Sequence, residues 1–278
     1  MGDKMKEKIN IELGSVQKTL LFPLWGRAKE TKKAYPLLRD DKAVEIIEKI
    51  DYDFSTFDDN LDEMSQLGWI ARCIHIDSTI NDFIKKYPRA AIVNIGCGMD
   101  TTLERVDNGT IHWYDLDMPD TIQLRSKFIP ESHRREYLAC SVFDTSWLDK
   151  IHVEGNVLFI ASGVLYYFEE AMIKQLFSEI MEKYPGSEII FDASPPFGVK
   201  MANRMVVKRG GMGDDSLLKW GLKKAEDLEE WDQRVKVLEA YPYFHNLRNK
   251  WDLKVSTKIK LLFFDLCSMS YMVHLRFE

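Results

Sequence analysis

Ala91-Ile-Val-Asn-Ile-Gly96-Cys-Gly98-Met-Asp100-Thr101-Thr102 is the stretch on which the fold turns. A short apolar run enters a Gly-x-Gly loop, the pattern of a buried strand that ends in a tight turn. Glycine permits the turn and lets a ligand approach the backbone closely. About twenty residues further on, a second apolar run ends in Tyr114-Asp115-Leu116-Asp117. An acid at that distance can accept both hydroxyls of a ribose. Alone, Gly-x-Gly is often only a turn. With a strand before it and an acid after it, it points to a cofactor that contains a nucleoside.

The same alternation continues outward. Apolar runs recur at Thr110–Leu116, Glu136–Ser141, Asn156–Ala161 and Ser187–Ala193, after a first at Ala90–Ile95. Between the last two lies a helical pattern, 169–184, with Ile173, Leu176, Phe177, Ile180, Met181 and Tyr184 on one face and Pro185-Gly186 as its stop. Strands alternating with helices at this spacing predict a parallel sheet with helices on both faces. The N-terminal third reads as helical. Val44, Ile46, Ile47 and Ile50 recur at helical spacing within 39–50. Ile70, Cys73, Ile74, Ile80 and Ile84 form a stripe in a helix expected to start at Ser65 as N-cap and to stop at Pro88.

Residues 195–250 break the alternation. Pro195, Pro196, Gly198, Gly210, Gly211 and Gly213 make it read as flexible, and a helix is expected at about 226–239. The segment follows the carboxyl end of a strand, where open α/β sheets bind ligands, so it is expected to be a lid or a pocket wall. The tail from Leu253 shows no helical period and resembles a hairpin of two long strands. The expected organisation is a single domain over 1–278. A helical cap spans 1–88, a core spans 89–194 and 251–278, and the lid spans 195–250.

Composition sets the outer limits. The chain has 278 residues, 45% of them apolar and 29% charged, enough for a substantial core without disulfides or metals. With 38 Lys and Arg against 44 Asp and Glu, the net charge of −6 lacks the basic footprint of a nucleic-acid binder. The longest apolar stretch, Val157–Phe168, falls short of a membrane span. Cys73, Cys97, Cys140 and Cys267 include no C-x-x-C pair, which argues against a zinc or redox motif and for a reducing compartment. The start, MGDKMKEK, is not a secretory signal, and Lys6 stands where a myristoylation motif wants Ser or Thr. The cytoplasm is the default location. The six His are scattered without metal-ligand spacing, and Asp58, Asp59, Asp62 and Glu63 read as an acidic loop, so no metal is expected.

Chemistry in the loop narrows the cofactor. A dinucleotide fingerprint wants a third glycine where Thr101 stands. Asp100 adds a carboxylate, unfavourable beside a pyrophosphate that seeks bare N–H groups. S-adenosylmethionine carries no phosphate, and its sulfonium and ammonium tolerate nearby acids. The loop therefore favours S-adenosylmethionine over a nicotinamide cofactor. A Gly-Lys-Ser/Thr phosphate loop is absent.

At this point a resemblance becomes specific. The chain resembles the leucine carboxyl methyltransferase family, and within it the branch of O-methyltransferases named for tetracenomycin polyketide biosynthesis. The likeness begins at Gly14-Ser-Val-Gln-Lys-Thr19-Leu-Leu-Phe-Pro-Leu-Trp-Gly-Arg27. It runs through Asp51-Tyr-Asp-Phe-Ser55, Arg72 with Asp77, Val93–Thr101 and Trp113-Tyr-Asp-Leu-Asp-Met-Pro119. It continues in Ser141-Val-Phe-Asp-Thr-Ser-Trp147, Gly163-Val-Leu-Tyr-Tyr-Phe168, Phe191-Asp192 and Trp220-Gly221.

That resemblance implies a Rossmann-like seven-stranded class I methyltransferase fold and an S-adenosylmethionine-dependent O-methyltransferase. The expected acceptor is a carboxylate or hydroxyl of a polyketide-like small molecule. It implies that Gly96 and Gly98 bracket the methionine part of the cofactor, that Asp117 holds the ribose with Asp115 as the lesser candidate, and that Ser141 and Val142 flank the adenine. Arg72 would pair with the methionine carboxylate. The family usually has Glu before Gly-Val-Leu, expected near the cofactor's ammonium; this chain has Ser162, which keeps an acceptor and loses the charge. Thr19, Arg27 and Tyr167 are pocket candidates, and no residue declares itself as a general base. A protein C-terminal carboxyl methyltransferase, a nicotinamide-dependent oxidoreductase and a cofactor-binding protein with reduced or no activity are the alternatives. The acceptor and the oligomeric state are not legible from the sequence.

Overall fold

The computed structural model describes residues 8–10, 18–55, 57, 63–204, 217–245, 247 and 253–278. A two-residue strand β1 (Ile9–Asn10) precedes helices α1 (Lys18–Thr31) and α2 (Asp41–Lys49). It pairs in parallel with β2 (Ile50–Asp51), and the long helix α3 (Glu63–Lys86) follows. Strands and helices then alternate: β3 (Ala91–Ile95), α4 (Leu103–Val106), β4 (His112–Asp117), α5 (Pro119–Ser126), β5 (Arg135–Ala139), β6 (Val157–Ala161), α6 (Glu170–Lys183), β7 (Glu188–Ala193) and α7 (Pro196–Ala202). Edge strand β8 (Val235–Pro242), helix α8 (Val255–Leu266) and β9 (Tyr271–Phe277) complete the described chain.

Seven strands form one sheet in the order β5-β4-β3-β6-β7-β9-β8. The first five are parallel; β9 runs antiparallel to both β7 and β8. This is the α/β Rossmann-like architecture. From β3 the chain winds outward through β4 to β5, then returns to the other side of β3 at β6. The reversal between β3 and β6 opens a crevice at the carboxyl ends of the strands.

Covered faces explain the continuous apolar runs. Every residue of β3, β6 and β7 is buried. On one face Val93, Phe159 and Phe191 meet Ile173, Phe177 and Ile180 of α6. On the other, Ile92, Ile160 and Ile190 meet Ile76, Ile80 and Phe83 of α3. Full burial of each such side chain contributes about 1.5–3 kcal/mol. A third cluster joins Leu21, Leu24 and Trp25 of α1 and Ile46 of α2 to Met99, Leu124 and Phe128, so the N-terminal helices pack directly on the sheet domain.

Three local expectations are corrected. Ser65 does not cap α3, because the helix is already formed at Glu63 and Ser65 lies in its first turn. The helix expected at 226–239 is a 3-10 turn at Ala225–Leu228 followed by β8, so part of the expected lid, 235–242, belongs to the sheet. Val235-Lys-Val-Leu-Glu-Ala has good helix formers, but β9 offers an unpaired edge, and pairing overrides propensity. The tail is not a hairpin: α8 precedes β9, and β9 pairs with β7 and β8. Gly210, Gly211, Gly213, Asp58, Asp59 and Asp62 lie outside the described residues. Among the described residues no helix is long and apolar enough to cross a membrane, and no cluster of His, Cys, Asp or Glu could hold a metal ion.

Candidate active site

A cavity of about 470 Å³ opens at the carboxyl ends of β3 to β7. Its volume falls within the range of small-molecule sites, about 300–1,000 Å³. The glycine loop forms one wall. Gly96 and Gly98 adopt φ of 63° and 45°. A Cβ at Gly96 would lie 2.5 Å from Val164 Cγ2, and one at Gly98 would lie 2.9 Å from Leu20 Cδ2. The loop is therefore glycine for two reasons, left-handed backbone and close approach. It is pinned from below, since Gly96 N donates to Leu116 O at 2.8 Å.

The two acids at the end of β4 separate into different roles. Asp117, the last residue of the strand, lines the cavity. Its carboxylate accepts from Gly98 N at 2.8 Å and from Met118 N at 2.7 Å. Thr121 adds a side-chain bond, and a carboxylate's roughly four acceptor positions leave capacity for a ribose hydroxyl. Burial pushes the Asp117 pKa up, and the bonds from Gly98 and Met118 oppose that only in part. Asp115 is fully buried and does not line the cavity. It accepts two bonds from Arg125, at 2.8 and 3.2 Å, and others from Trp113 Nε1 and Asn94 Nδ2. Arg125 also donates to the carbonyls of Gly98 and Asp100, so Asp115 acts through it as a structural anchor of the loop.

Asp100 is less of a free charge than its sequence position suggests. It accepts from Asn94 Nδ2 and from the backbone and hydroxyl of Thr102. Burial alone would raise its pKa, but Arg27, Arg105 and Arg125 outweigh burial and hold it below the usual value. The Asp100 charge is thus partly offset by these arginines. The repulsion of a pyrophosphate inferred from Asp100 alone is correspondingly weaker.

Opposite the loop stands a buried polar cluster. Asp192, near the end of β7, accepts from Gly163 N at 2.6 Å, Arg72 Nη1 at 3.2 Å, Tyr166 Oη at 3.1 Å and Tyr243 Oη at 3.3 Å. Burial would lower the pKa of Arg72, but Tyr243 and Asp192 reverse that and keep it charged. Burial drives Tyr166 and Tyr243 well above the ordinary phenol value, so both remain donors. A Cβ at position 163 would lie 2.5 Å from Arg72 Nη1, so glycine there makes room for the guanidinium. Arg72 Nε is buried and has no hydrogen-bond partner. Arg72 lines the cavity, and a guanidinium with a donor still unpartnered fits a ligand that brings a carboxylate.

The cavity brings together Arg72, Gly96, Gly98, Asp117, Ser141, Val142 and Ser162, every residue expected at the cofactor. Arg27 and Tyr167 also line it. Arg27 is already engaged, donating to Asp40 at 2.8 Å and to Met99 O at 2.9 Å, which ties α1 to the glycine loop. The side chain of Thr19 lies outside the described residues. Sequence reasoning gave no role to Asp192, Tyr166 or Tyr243. Asp192 had a signal, a lone acid near the carboxyl end of an otherwise apolar strand run. Tyr243 had none, because it arrives from beyond the edge strand β8.

A largely parallel sheet with a glycine loop and a strand-end acid at one cavity defines the class of proteins that bind a nucleoside-containing cofactor. The chain belongs to the leucine carboxyl methyltransferase family, whose sequence profile matches residues 21–181. It is an S-adenosylmethionine-dependent methyltransferase. It is 30% identical over 220 residues to the tetracenomycin polyketide synthesis O-methyltransferase TcmP of Streptomyces glaucescens, covering 79% of this chain and 80% of that protein. It is 28% identical over 212 residues to the S-adenosyl-L-methionine-dependent methyltransferase dpfgK of Gibberella zeae, covering 69% and 71% of the two chains. Among solved structures, a Thermobifida fusca protein described as a candidate methyltransferase superposes with a TM-score of 0.60. The identity is 10%, over 91% of this chain and 94% of that one, and it supports the fold.

Proposed function

We propose that this protein methylates an oxygen of a small molecule, with a carboxylate favoured over a hydroxyl as acceptor. The observation that carries this reading is the state of the acids on the cavity wall. Asp192 accepts four bonds, Asp117 is engaged by Gly98, Met118 and Thr121, and Asp100 by Asn94 and Thr102. Tyr166 and Tyr243 stay protonated. A hydroxyl acceptor needs a general base, and a carboxylate, already ionised at neutral pH, needs none. The name of the Streptomyces relative, a polyketide O-methyltransferase, supports the same chemistry.

Bound S-adenosylmethionine supplies an electrophilic methyl carbon on a sulfonium. The protein supplies position and dryness. Arg72 would hold the methionine carboxylate with its guanidinium, which Asp192 fixes in place. Gly96 and Gly98 let the loop backbone approach the same moiety. Asp117 would accept from the ribose hydroxyls, and Ser141 with Val142 would flank the adenine. Ser162, on the cavity wall, would meet the ammonium with a neutral oxygen. The cap over 1–88, with Phe22, Trp69 and Arg27 on the cavity wall, would cover the acceptor side. Ala202, Leu218 and Tyr243 from the segment 195–250 would close it.

The test is a panel of aromatic acids and matched phenols with isotopically labelled S-adenosylmethionine. Methyl ester formation on acids, with phenols at least tenfold slower, is the expected result. Exclusive transfer to phenols, or to a peptide carboxyl terminus, would overturn the carboxylate small-molecule reading.

A further inference from the structure

Helix α8 has two apolar faces, and only one of them is covered. Leu261 is buried in the core, with Thr257 and Asp265 on the same side. Val255, Ile259, Leu262, Phe263 and Leu266 point away from the body and are 73%, 63%, 42%, 68% and 74% exposed. At about 100° per residue these five fall within an arc of roughly 100°. They present on the order of 500 Å² of apolar surface, near the upper end of what an ordinary monomer shows in one patch. Scattered exposed apolar residues need no explanation, but a stripe running the length of one helix does.

We infer that this stripe is the interface of a homodimer, in which α8 packs antiparallel against α8 of a second copy across a two-fold axis. The spacing points to a helix as the occupant. Val255, Ile259, Leu262 and Leu266 follow one another at four, three and four residues, the seam of a helix pair. A single self-complementary stripe suits a two-fold contact, in which the same patch serves both partners. Charge sets the direction. Lys254, Lys258 and Lys260 lie in the first half of the helix, and its last turn is the negative end of the helix dipole. Antiparallel pairing puts the lysines of one helix beside the carbonyl end of the other, whereas parallel pairing stacks lysine on lysine.

The area argues for a reversible dimer. Two copies of the stripe bury on the order of 1,000 Å², at the lower limit for a specific interface. A lipid surface is the less favoured occupant, because a net charge of −6 is repelled by anionic headgroups.

Sedimentation of the full chain from about 1 to 100 µM tests this. The expected result is a concentration-dependent shift from monomer to dimer. Phe263→Glu and, separately, Ile259→Glu should weaken it at least tenfold, with unchanged circular dichroism and S-adenosylhomocysteine binding. Direction is read by crosslinking in a Cys267→Ser background, which removes the exposed native thiol. Val255→Cys protein mixed with Leu266→Cys protein should give a disulfide between unlike chains under mild oxidation. Val255→Cys alone should not. A monomer throughout the range overturns the proposal, as does a dimer untouched by both glutamate variants. Crosslinking of Val255→Cys to itself overturns it too. So does binding to phosphatidylcholine or phosphatidylserine vesicles by a protein that stays monomeric.

Discussion

At the scale of single residues, two acids separated by one position are expected to fail differently. Asp117→Ala should weaken S-adenosylhomocysteine binding by about 1.5–3 kcal/mol, the loss of hydrogen bonds to a charged acceptor, with a smaller loss of stability than Asp115→Ala because it frees the Gly98 N–H and strands no buried charge. Asp115→Ala should leave Arg125 buried without its partner and cost about 3–5 kcal/mol of stability. Calorimetric titration and melting curves on both variants check the pair; equal binding losses in two stable proteins would refute the division of roles. Asp117 also gives a pH signature. Its pKa is raised by burial, and the charged form is the better acceptor, so affinity should decline on acidification from a higher pH than an exposed aspartate would set. Asp117→Asn should remove that decline. Ser162→Glu should tighten S-adenosylmethionine binding by about 1 kcal/mol, since a charge-assisted bond to the ammonium outweighs desolvation of the new carboxylate. The gain should shrink for an analogue without the amino group. Unchanged affinity in a folded variant would show that Ser162 does not face the ammonium.

At the scale of elements, the cap and the glycine loop meet at Asp40. Its carboxylate caps α2 through Ala43 N at 2.9 Å and accepts from Arg27 of α1, from Thr101 beyond the loop and from Arg105 of α4. Asp40→Ala should strand buried Arg27, while Arg105 keeps Asp77, and should cost about 3–5 kcal/mol. Asp40→Asn should cost less and still loosen the loop, visible as a weaker cofactor affinity at full secondary structure. Across the sheet, Glu188 of β7 accepts from His274 at 2.9 Å and Arg276 at 2.7 Å of β9. Burial would raise its pKa, but those partners reverse the effect and lower it from the ordinary 4.5. The sign follows: a depressed carboxyl stabilises the fold above its ordinary pKa, and that stability is lost as pH falls through the lowered value. Glu188→Gln should therefore flatten the acid limb of stability below about pH 4.5. An acid limb of unchanged slope would show that the β7–β9 ion pairs do not link to folding.

At the scale of the whole molecule, cofactor should act as a stabiliser, because the cavity draws on α1, α3 and every parallel strand of the sheet. At a hundred times its dissociation constant a ligand specific for the folded state adds about 2.7 kcal/mol, which for a chain of this size is a rise of several degrees in melting temperature. Differential scanning fluorimetry with S-adenosylhomocysteine reads it, and no shift at millimolar ligand would contradict the cofactor site. The two-fold contact at α8 makes the same quantity depend on protein concentration, an effect that Phe263→Glu should abolish.

Much of this was legible before any coordinates. The strand runs at Ala90–Ile95 and Ser187–Ala193, the helix at 169–184, the glycine loop and the strand-end Asp117 are local patterns. Burial on both faces, a 3.6-residue period and a turn that only glycine fits each leave their mark within a few residues. The errors fell where structure is set by partners distant in sequence. Val235–Pro242 has a helix former's composition and becomes a strand because β9 offers an edge. Val255–Leu266 hid its helical period because apolar residues occupy two opposite faces, one turned to the core and one outward. Asp115 and Asp117 look alike in sequence; Arg125, brought in from α5, makes one an anchor and leaves the other at the cavity. Asp192 gains its meaning from Arg72, Tyr166 and Tyr243, which lie 120, 26 and 51 positions away along the chain. Local chemistry and periodicity determined the elements and the class of cofactor. The tertiary structure alone decided which polar groups are paired and which face the cavity, because pairing depends on distance in space, and the order of residues does not record it.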